Sequence, residues 1–354
     1  MEGHAWRLYK SFQGEILAIP GRAIAFFFLL SLFFVPLVTG NPYVLRIFIF
    51  ANIFAIYAAS WDLLSGFTGQ MNLGHATFFG VAAYTAALLN LNLGLPPEAT
   101  IPIGALVAVL AGLIVGIPAL RLRGHYLALV TLAFPIILTG IVFAFPDFTG
   151  GELGLYGISP LSDSRVCVYY LSLVVMIASA LIMWKLTDAK STFVRTGVIF
   201  HAIREDEITA RASGINTTKY KLLAFSISGF FAGVAGGLSA HFIGIAGPSN
   251  FALLFSFQPI IWTIFGGIAT IYGPITGVYI LFPLMESLRV VPELRMLIFA
   301  LIVIFVLLFM PEGLTTRLRD KIEIECPRCK LTNIATRRYC RACNAPLRLE
   351  GRYS

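Results

Sequence analysis

Residues 101–120 read IPIGALVAVLAGLIVGIPAL, twenty consecutive positions without an Asp, Glu, Lys or Arg. Wound as a helix at 1.5 Å per residue, such a run covers about 30 Å, the thickness of a bilayer's hydrocarbon core. A helix also satisfies every backbone hydrogen bond within itself, which lipid demands. Nine further stretches read the same way, so the candidate spans lie near 23–39, 44–64, 71–91, 101–120, 126–145, 167–186, 222–246, 252–271, 274–290 and 294–310. Only Tyr272 and Gly273 separate the eighth from the ninth, which makes nine spans the alternative count. Alternating barrel strands are absent. The 354-residue chain is 58% hydrophobic and 12% charged, against about 25% charged in soluble domains. A single soluble core could not hide that much apolar side chain, because burial is limited by surface-to-volume scaling. A soluble enzyme, a disordered chain and a disulfide-built secreted domain are excluded. The fold class is an all-α polytopic membrane protein with a small soluble piece.

Charge locates that piece. Residues 1–314 carry 16 Lys+Arg against 14 Asp+Glu, and residues 315–354 carry 10 against 4, so net charges of +2 and +6 make up the total of +8. Loop cations set orientation. Arg7, Lys10 and Arg22 precede the first span, Arg121 and Arg123 follow the fourth, and 185–221 holds Lys185, Lys190, Arg195, Arg204, Arg211, Lys219 and Lys221. The intervening loops are poor in Lys and Arg. Ten spans put every basic loop on one side, so both termini are expected in the cytoplasm of a plasma-membrane protein. The 22-residue arm before the first apolar run, and the lack of an evident cleavage site, make that run an inserting helix rather than a removable leader. The expected organisation is a cytoplasmic arm at 1–22, a membrane domain at 23–314 and a cytoplasmic tail at 315–354.

No phosphate-binding G-x-x-x-x-G-K-[ST] loop occurs, nor H-E-x-x-H or G-x-S-x-G. The chain is therefore expected to bind no nucleotide and to catalyse no reaction. Acids within spans are few, Asp62 and Glu286 being the candidates. An ion-driven carrier needs buried ionisable groups as its relay, so the driving force is expected from another subunit.

The segment between the sixth and seventh spans, about 187–221, is too long for a connector. Residues 200–213 have helical character, with Ile203, Ile208, Ala210 and Ala212 apolar and Arg204, Glu205, Asp206, Glu207 and Arg211 charged. Glu207 and Arg211 are four apart, the spacing of a helix-surface pair. Gly214 stops the helix, and a second helix starts at Lys219–Lys221. This is either a solvated loop or a docking element for a cytoplasmic partner.

The block AIREDEITARASGINTTKYKLLAF at 202–225 resembles the coupling loop of ABC-importer permeases of the branched-chain amino acid, LivM-like, family. GFTGQMNLGHATFFGVAAYTAALL at 66–89, PALRLRGHYLALVTLAF at 118–134, TGGELGL at 149–155, FGGIATIYGPITG at 265–277 and PEGL at 311–314 match the family's blocks in order. The resemblance implies a type II importer-like permease of about ten helices. It implies pairing with a second permease subunit, two ABC ATPase subunits and an extracellular solute-binding protein. Ala202, Arg204, Glu205, Asp206, Glu207, Ala210, Arg211, Gly214, Ile215 and Asn216 then fall on the ATPase-coupling loop. Asn72 replaces the usual Ser, Asp62 stands where a neutral polar residue is common, Glu152 replaces a small residue, and Ala269 replaces Gly. Branched-chain or other hydrophobic amino acids are the expected cargo. Urea, short amides and other amino acids are alternatives within the family. A stand-alone secondary transporter or channel, and a membrane-anchored zinc-ribbon scaffold, are the competing classes.

Gln70, Asn72 and His75 flank the third span, either as helix-to-helix glue or as part of the substrate path. Gly229, Gly233 and Gly237 make a small-residue stripe for helix packing, repeated by Gly112 and Gly116. Thr149, Gly150, Gly151, Gly154 and Gly157 suggest a flexible outer loop. In the tail, Cys326, Cys329, Cys340 and Cys343 form two C-x-x-C knuckles ten residues apart, the donor set of a structural zinc ribbon. A contact of this basic module with protein or anionic membrane lipid is expected, rather than with nucleic acid. Cys167 is expected simply to pack.

Overall fold

The computed structural model describes residues 20–119, 122, 124–188, 195–310, 313–329, 332–340 and 343–347. The arm before residue 20, Arg121, Arg123 and Lys190 lie outside the described residues. The contacts divide the chain into two compact units, one of residues 41–313 and one of the first helix with the segment after Gly313.

In the larger unit a helix occupies each remaining apolar stretch. These are α2 (Pro42–Thr68), α3 (Ala76–Leu93), α4 (Pro97–Ala119), α5 (His125–Ala144), α7 (Arg165–Thr187), α10 (Thr217–Ile243), α11 (Leu253–Gly266), α12 (Tyr272–Ser287) and α13 (Pro292–Phe309). Short helices α6 (Pro146–Thr149), α8 (Thr196–Glu205) and α9 (Glu207–Ala212) lie between them. Helix α1 (Pro20–Val38) belongs to the other unit. Among the described residues six helices, α2, α3, α4, α5, α7 and α10, are long and apolar enough to cross a membrane.

Helices α2 and α10 are central. In each, the most apolar 18-residue window is mostly buried, 83% and 72% respectively, against 28–39% in α4, α5 and α7. The peripheral helices turn Leu106, Leu110, Ile114, Ile136 and Leu181 outward. An apolar side chain exposed in that density is suited to lipid rather than water.

Three boundaries depart from the expected spans. The third span begins at Ala76, not 71, because Gly69 ends α2 in the left-handed region at φ 71° and residues 69–75 are non-helical. The eighth ends at Gly266, where Gly267 at φ 131° opens an elbow of residues 267–271. The 200–213 helix is divided at Asp206, whose carboxylate accepts the N–H groups of Ile208 and Thr209 and so caps a fresh helix, α9.

The smaller unit carries helix α14 (Leu314–Ile322) and the antiparallel pair β3 (Glu323–Glu325) and β4 (Thr332–Ile334), registered Glu323 to Ile334. In the larger unit β1 (Leu155–Tyr156) pairs with β2 (Ile245–Ala246).

Candidate functional site

At one end of the bundle, α8 buries Gly197, Phe200 and Ile203, with Gly197 against the end of α7, where a Cβ would fall 2.6 Å from Asp188 O. His201 meets the ring of Phe67 at 5.5 Å, and a side chain on Gly69 would touch the Arg204 backbone. Burial, then the nearby Arg204, lowers the His201 pKa. The Asp206 carboxyl is held below its usual range, first by the Thr209 hydroxyl and then by the two capping amides.

Glu207 is the joint. Its Oε1 accepts from Arg211 Nη2 at 3.0 Å and from Thr217 Oγ1 at 3.3 Å, while Oε2 takes Lys221 Nζ at 2.5 Å. The exposed Arg211 arm contributes little. Lys221 is only 8% exposed, so its pair with Glu207 fastens α9 to the second turn of α10. Gly214, at φ 85°, makes the turn between them, and Asn216 caps α10 through the Lys219 amide. Ala210 is buried, whereas Ile208, at 67% exposure, points away from the bundle. Arg204, Glu205 and Asn216 are exposed and Ala202 and Ile215 half-buried.

The non-helical stretch 69–75 runs back along α2. Gln70, Asn72 and His75 are 3%, 2% and 0% exposed. His75 Nε2 meets Ser60 Oγ at 2.9 Å and its Nδ1 meets Asn72 Nδ2 at 3.3 Å. Ser60 is eight residues before the end of α2, so this cluster sits about 12 Å inside the bundle. Non-helical backbone at that depth needs polar partners. Trp61 Nε1 donates to Asn72 O at 2.7 Å, and Thr131 Oγ1 and Ser256 Oγ accept the Leu73 and Ala76 amides at 3.1 Å each. Ser228 Oγ donates to Ser60 O at 2.7 Å, tying in α10. Gln70 Nε2 donates to Thr68 Oγ1 at 2.8 Å. The geometry is that of glue joining α2, α5, α10 and α11.

Asp62 anchors the elbow between α11 and α12. Fully buried, it accepts the Ala269 amide at 2.8 Å and the Thr270 amide at 2.9 Å. Ala269 stands at φ 59°, a left-handed value uncommon for Ala. Gly66 leaves room for the carboxylate, since a Cβ there would fall 2.0 Å from Asp62 Oδ1. The sequence exposes Asp62 as an acid inside an apolar span, but not its partners 207 positions away.

The glycine stripe of α10 faces α3 and α4. A Cβ on Gly229 would overlap Phe78, one on Gly233 would approach Ala105 Cα to 2.8 Å, and one on Gly237 would reach Ile101 Cα at 3.2 Å. Gly236, outside the stripe, makes the closest approach, 2.1 Å from Phe79 O.

At the opposite end, the 149–157 turn is pinned rather than flexible. Thr149 Oγ1 donates to Val142 O, and Gly154 sits against Ala246, where a Cβ would be 2.4 Å from its carbonyl. Asn90 brackets Ser159 from both sides, and His241 lies between Ser159 O and Thr100 Oγ1. Cys167 is exposed at the start of α7 rather than packed.

In the tail the four Sγ atoms of Cys326, Cys329, Cys340 and Cys343 lie within 4.8 Å of one another. Cys326 to Cys343 is 3.4 Å and Cys329 to Cys340 is 3.5 Å. A tetrahedron of thiolates around zinc, with bonds of about 2.3 Å, sets sulfurs about 3.8 Å apart, so the donor set fits a metal ion. The Cys329 amide lowers the Cys326 pKa, which favours the ligating thiolate. Cys326 and Cys340 are buried with Leu347, and Asn333 Nδ2 donates to Cys340 Sγ at 3.5 Å.

The family described as "Branched-chain amino acid transport system / permease component" matches residues 43–307. The chain is 29% identical over 307 residues to the high-affinity branched-chain amino acid transport system permease protein LivM of Salmonella typhimurium, covering 78% of this chain and 71% of that protein. The Escherichia coli LivM is 29% identical over 302 residues, 77% of this chain and 70% of its own. A probable branched-chain amino acid transport permease protein LivH of Methanocaldococcus jannaschii is 24% identical over 252 residues, 66% and 76% of the two chains. No solved structure matches. With a helical membrane bundle around α2 and α10 and a family match running from the start of α2 into α13, the chain belongs to the branched-chain amino acid transport permease family.

Proposed function

We propose that this protein is the membrane-spanning permease subunit of an ATP-binding cassette importer for branched-chain or other hydrophobic amino acids. Its partners are a second permease subunit, two ABC ATPase subunits and an extracellular solute-binding protein. Both termini face the cytoplasm, and the chain itself binds no nucleotide. The observation that carries this reading is the α8–α9 corner, a rigid element that projects Ile208 while being fastened to the bundle by Glu207 and Lys221. A push on α9 reaches α10 through that ion pair. It reaches α2 through Phe67 and Gly69, and the elbow through Asp62. ATP binding in a partner thus has a mechanical route to the two central helices, and Gly229, Gly233, Gly236 and Gly237 give α10 a smooth seam. The test is co-expression with the ATPases, the sister permease and the binding protein. ATP hydrolysis should rise when leucine-loaded binding protein is added to the reconstituted complex. Uphill leucine uptake by the isolated chain, without ATPases, would overturn the proposal.

The tail is a structural zinc ribbon. Zinc bound by the four thiolates supplies cross-links in place of an apolar core, which so small a module lacks. Arg328, Arg337 and Arg338 offset the negative charge of the site, and this basic surface suits anionic lipid or a protein contact. Nucleic acid is not assigned to it.

A further inference from the structure

The tail after Gly313 starts from a fixed point. Gly313, at φ 85°, is buried against the α11–α12 elbow, where a Cβ on it would lie 2.4 Å from Gly267 Cα. The elbow in turn lies against the last turn of α2, since a Cβ on Gly66 would come 2.9 Å from Ala269 N. Phe67, in that same turn, meets His201 of α8. The chain therefore leaves the bundle at the α8–α9 end and passes from Gly313 straight into α14. Helix α14 also belongs to one compact unit with α1, whose Phe27, Phe34 and Leu37 are exposed in the manner of a lipid-facing helix. A segment tethered this closely to membrane helices cannot stand far from the headgroups.

Its surface fits that location. In α14, Leu314, Leu318 and Ile322 recur every four residues and form one stripe. Arg317 and Lys321 border the stripe on one side and Arg319 on the other, while Asp320, the helix's one acid, falls by the same spacing on the far side. Leu318 is 50% exposed, so the middle of the stripe is open. An apolar stripe bordered by cations is the pattern of a helix that lies in the membrane interface. The ribbon continues this surface. Ala335 N donates to Ile322 O at 2.8 Å, joining the 334–337 turn to the end of α14. Arg337, Arg338 and Tyr339 follow, all exposed, and Arg338 O accepts the Leu347 amide at 2.9 Å, which fixes their backbone. A tyrosine ring is suited to headgroup level, with its body against apolar chains and its hydroxyl in water. Residues 315–354 carry a net +6, and four thiolates around a divalent ion take two from it and leave +4. Anionic headgroups beside this surface supply both the opposite charge and the apolar layer, and a soluble protein would have to displace them.

We propose that α14 and the Arg337–Tyr339 segment bind anionic phospholipid, with the cations on headgroup phosphates and Leu318 and Tyr339 entering the interface. The proposal deepens the zinc-ribbon reading and rests on it for the fold of the tail. It rests on the importer reading for the side of the membrane, the cytoplasmic leaflet being the anionic one. Each cation held near such a surface strengthens the contact about fivefold.

The test is hydrogen–deuterium exchange of the full chain in nanodiscs of phosphatidylcholine with and without phosphatidylglycerol. Backbone amides of 315–322 and 335–339 should exchange at least about 25-fold more slowly when phosphatidylglycerol is present, the scale of two cations. Raising the salt from 0.1 to 1 M shortens the screening length from about 10 Å to about 3 Å and should remove most of that protection. Arg337→Gln combined with Arg338→Gln should lower it by about 25-fold, and Arg337→Lys combined with Arg338→Lys should restore it. Zinc content and exchange within α2 and α10 separate a lost contact from lost folding. Equal exchange of the zinc-loaded wild type in the two lipids overturns the proposal, as does protection that the double Gln variant retains. Protection that appears only when ATPase subunits are added would show a protein-docking surface and also overturn it. A zinc-free chain with an unprotected tail removes the ribbon reading and this proposal together. If ATPases fail to associate while phosphatidylglycerol protects the tail, the importer reading falls and the lipid surface stands.

Discussion

Replacing Asp62 by Ala removes both acceptors of the α11–α12 elbow. The Ala269 and Thr270 amides, bonded at 2.8 and 2.9 Å to a side chain with no solvent exposure, are left without partners. An unsatisfied buried donor costs about 1–3 kcal/mol, so the pair costs about 2–6 kcal/mol. The strained Ala269, at φ 59°, gains nothing in return and loses the bond that holds it there. Asp62→Asn keeps one acceptor but turns an amide N–H₂ toward a second donor, so its loss should be about half as large. Asp62→Glu adds a methylene where Gly66 already crowds the carboxylate, and should not rescue. The assay is thermal unfolding of the detergent-solubilised chain, followed by the fraction remaining monodisperse. With about 2–4 °C per kcal/mol in large domains, Asp62→Ala should melt roughly 4–24 °C below wild type. A shift within 2 °C of zero, roughly the spread between preparations and below 1 kcal/mol, would refute the reasoning that this carboxylate supports the elbow.

Further outcomes follow from the same geometry. Ile208→Asp should leave the melting temperature unchanged, because the side chain is 67% exposed, yet abolish co-purification with the ATPases. Glu207→Ala should destabilise by about 1–3 kcal/mol by stranding the buried Lys221 ammonium, read as a lower melting temperature. Gly236→Ala should cost about 2–4 kcal/mol, since its Cβ would lie 2.1 Å from Phe79 O and neither backbone can retreat. One zinc per chain is expected by elemental analysis of purified protein, and Cys340→Ser should lower it well below one. Zinc content unchanged by that substitution would count against the four-thiolate site.

The sequence by itself determined the class of this protein. Long uncharged runs can be satisfied only as helices in lipid, and their number and basic loops are local properties countable along the chain. Two C-x-x-C knuckles likewise announce their donor set through spacing alone. The Glu207–Arg211 pair and the stop at Gly214 were legible because helix geometry links residues three to five apart. Other features join residues far apart in the chain, and periodicity does not encode such pairs. The break in the helix through 200–213 is local by contrast, a cap in which the Asp206 carboxylate takes the Ile208 and Thr209 amides, which apolar periodicity does not mark. Residues 71–75 stay non-helical because Trp61, Thr131 and Ser256 replace their backbone partners. Gln70, Asn72 and His75 were recognisable as polar residues beside an apolar run, but their identity as buried glue depended on four helices converging. The elbow held by Asp62 was decided only by tertiary structure, because a buried hydrogen bond is defined by neighbours that the fold alone brings together.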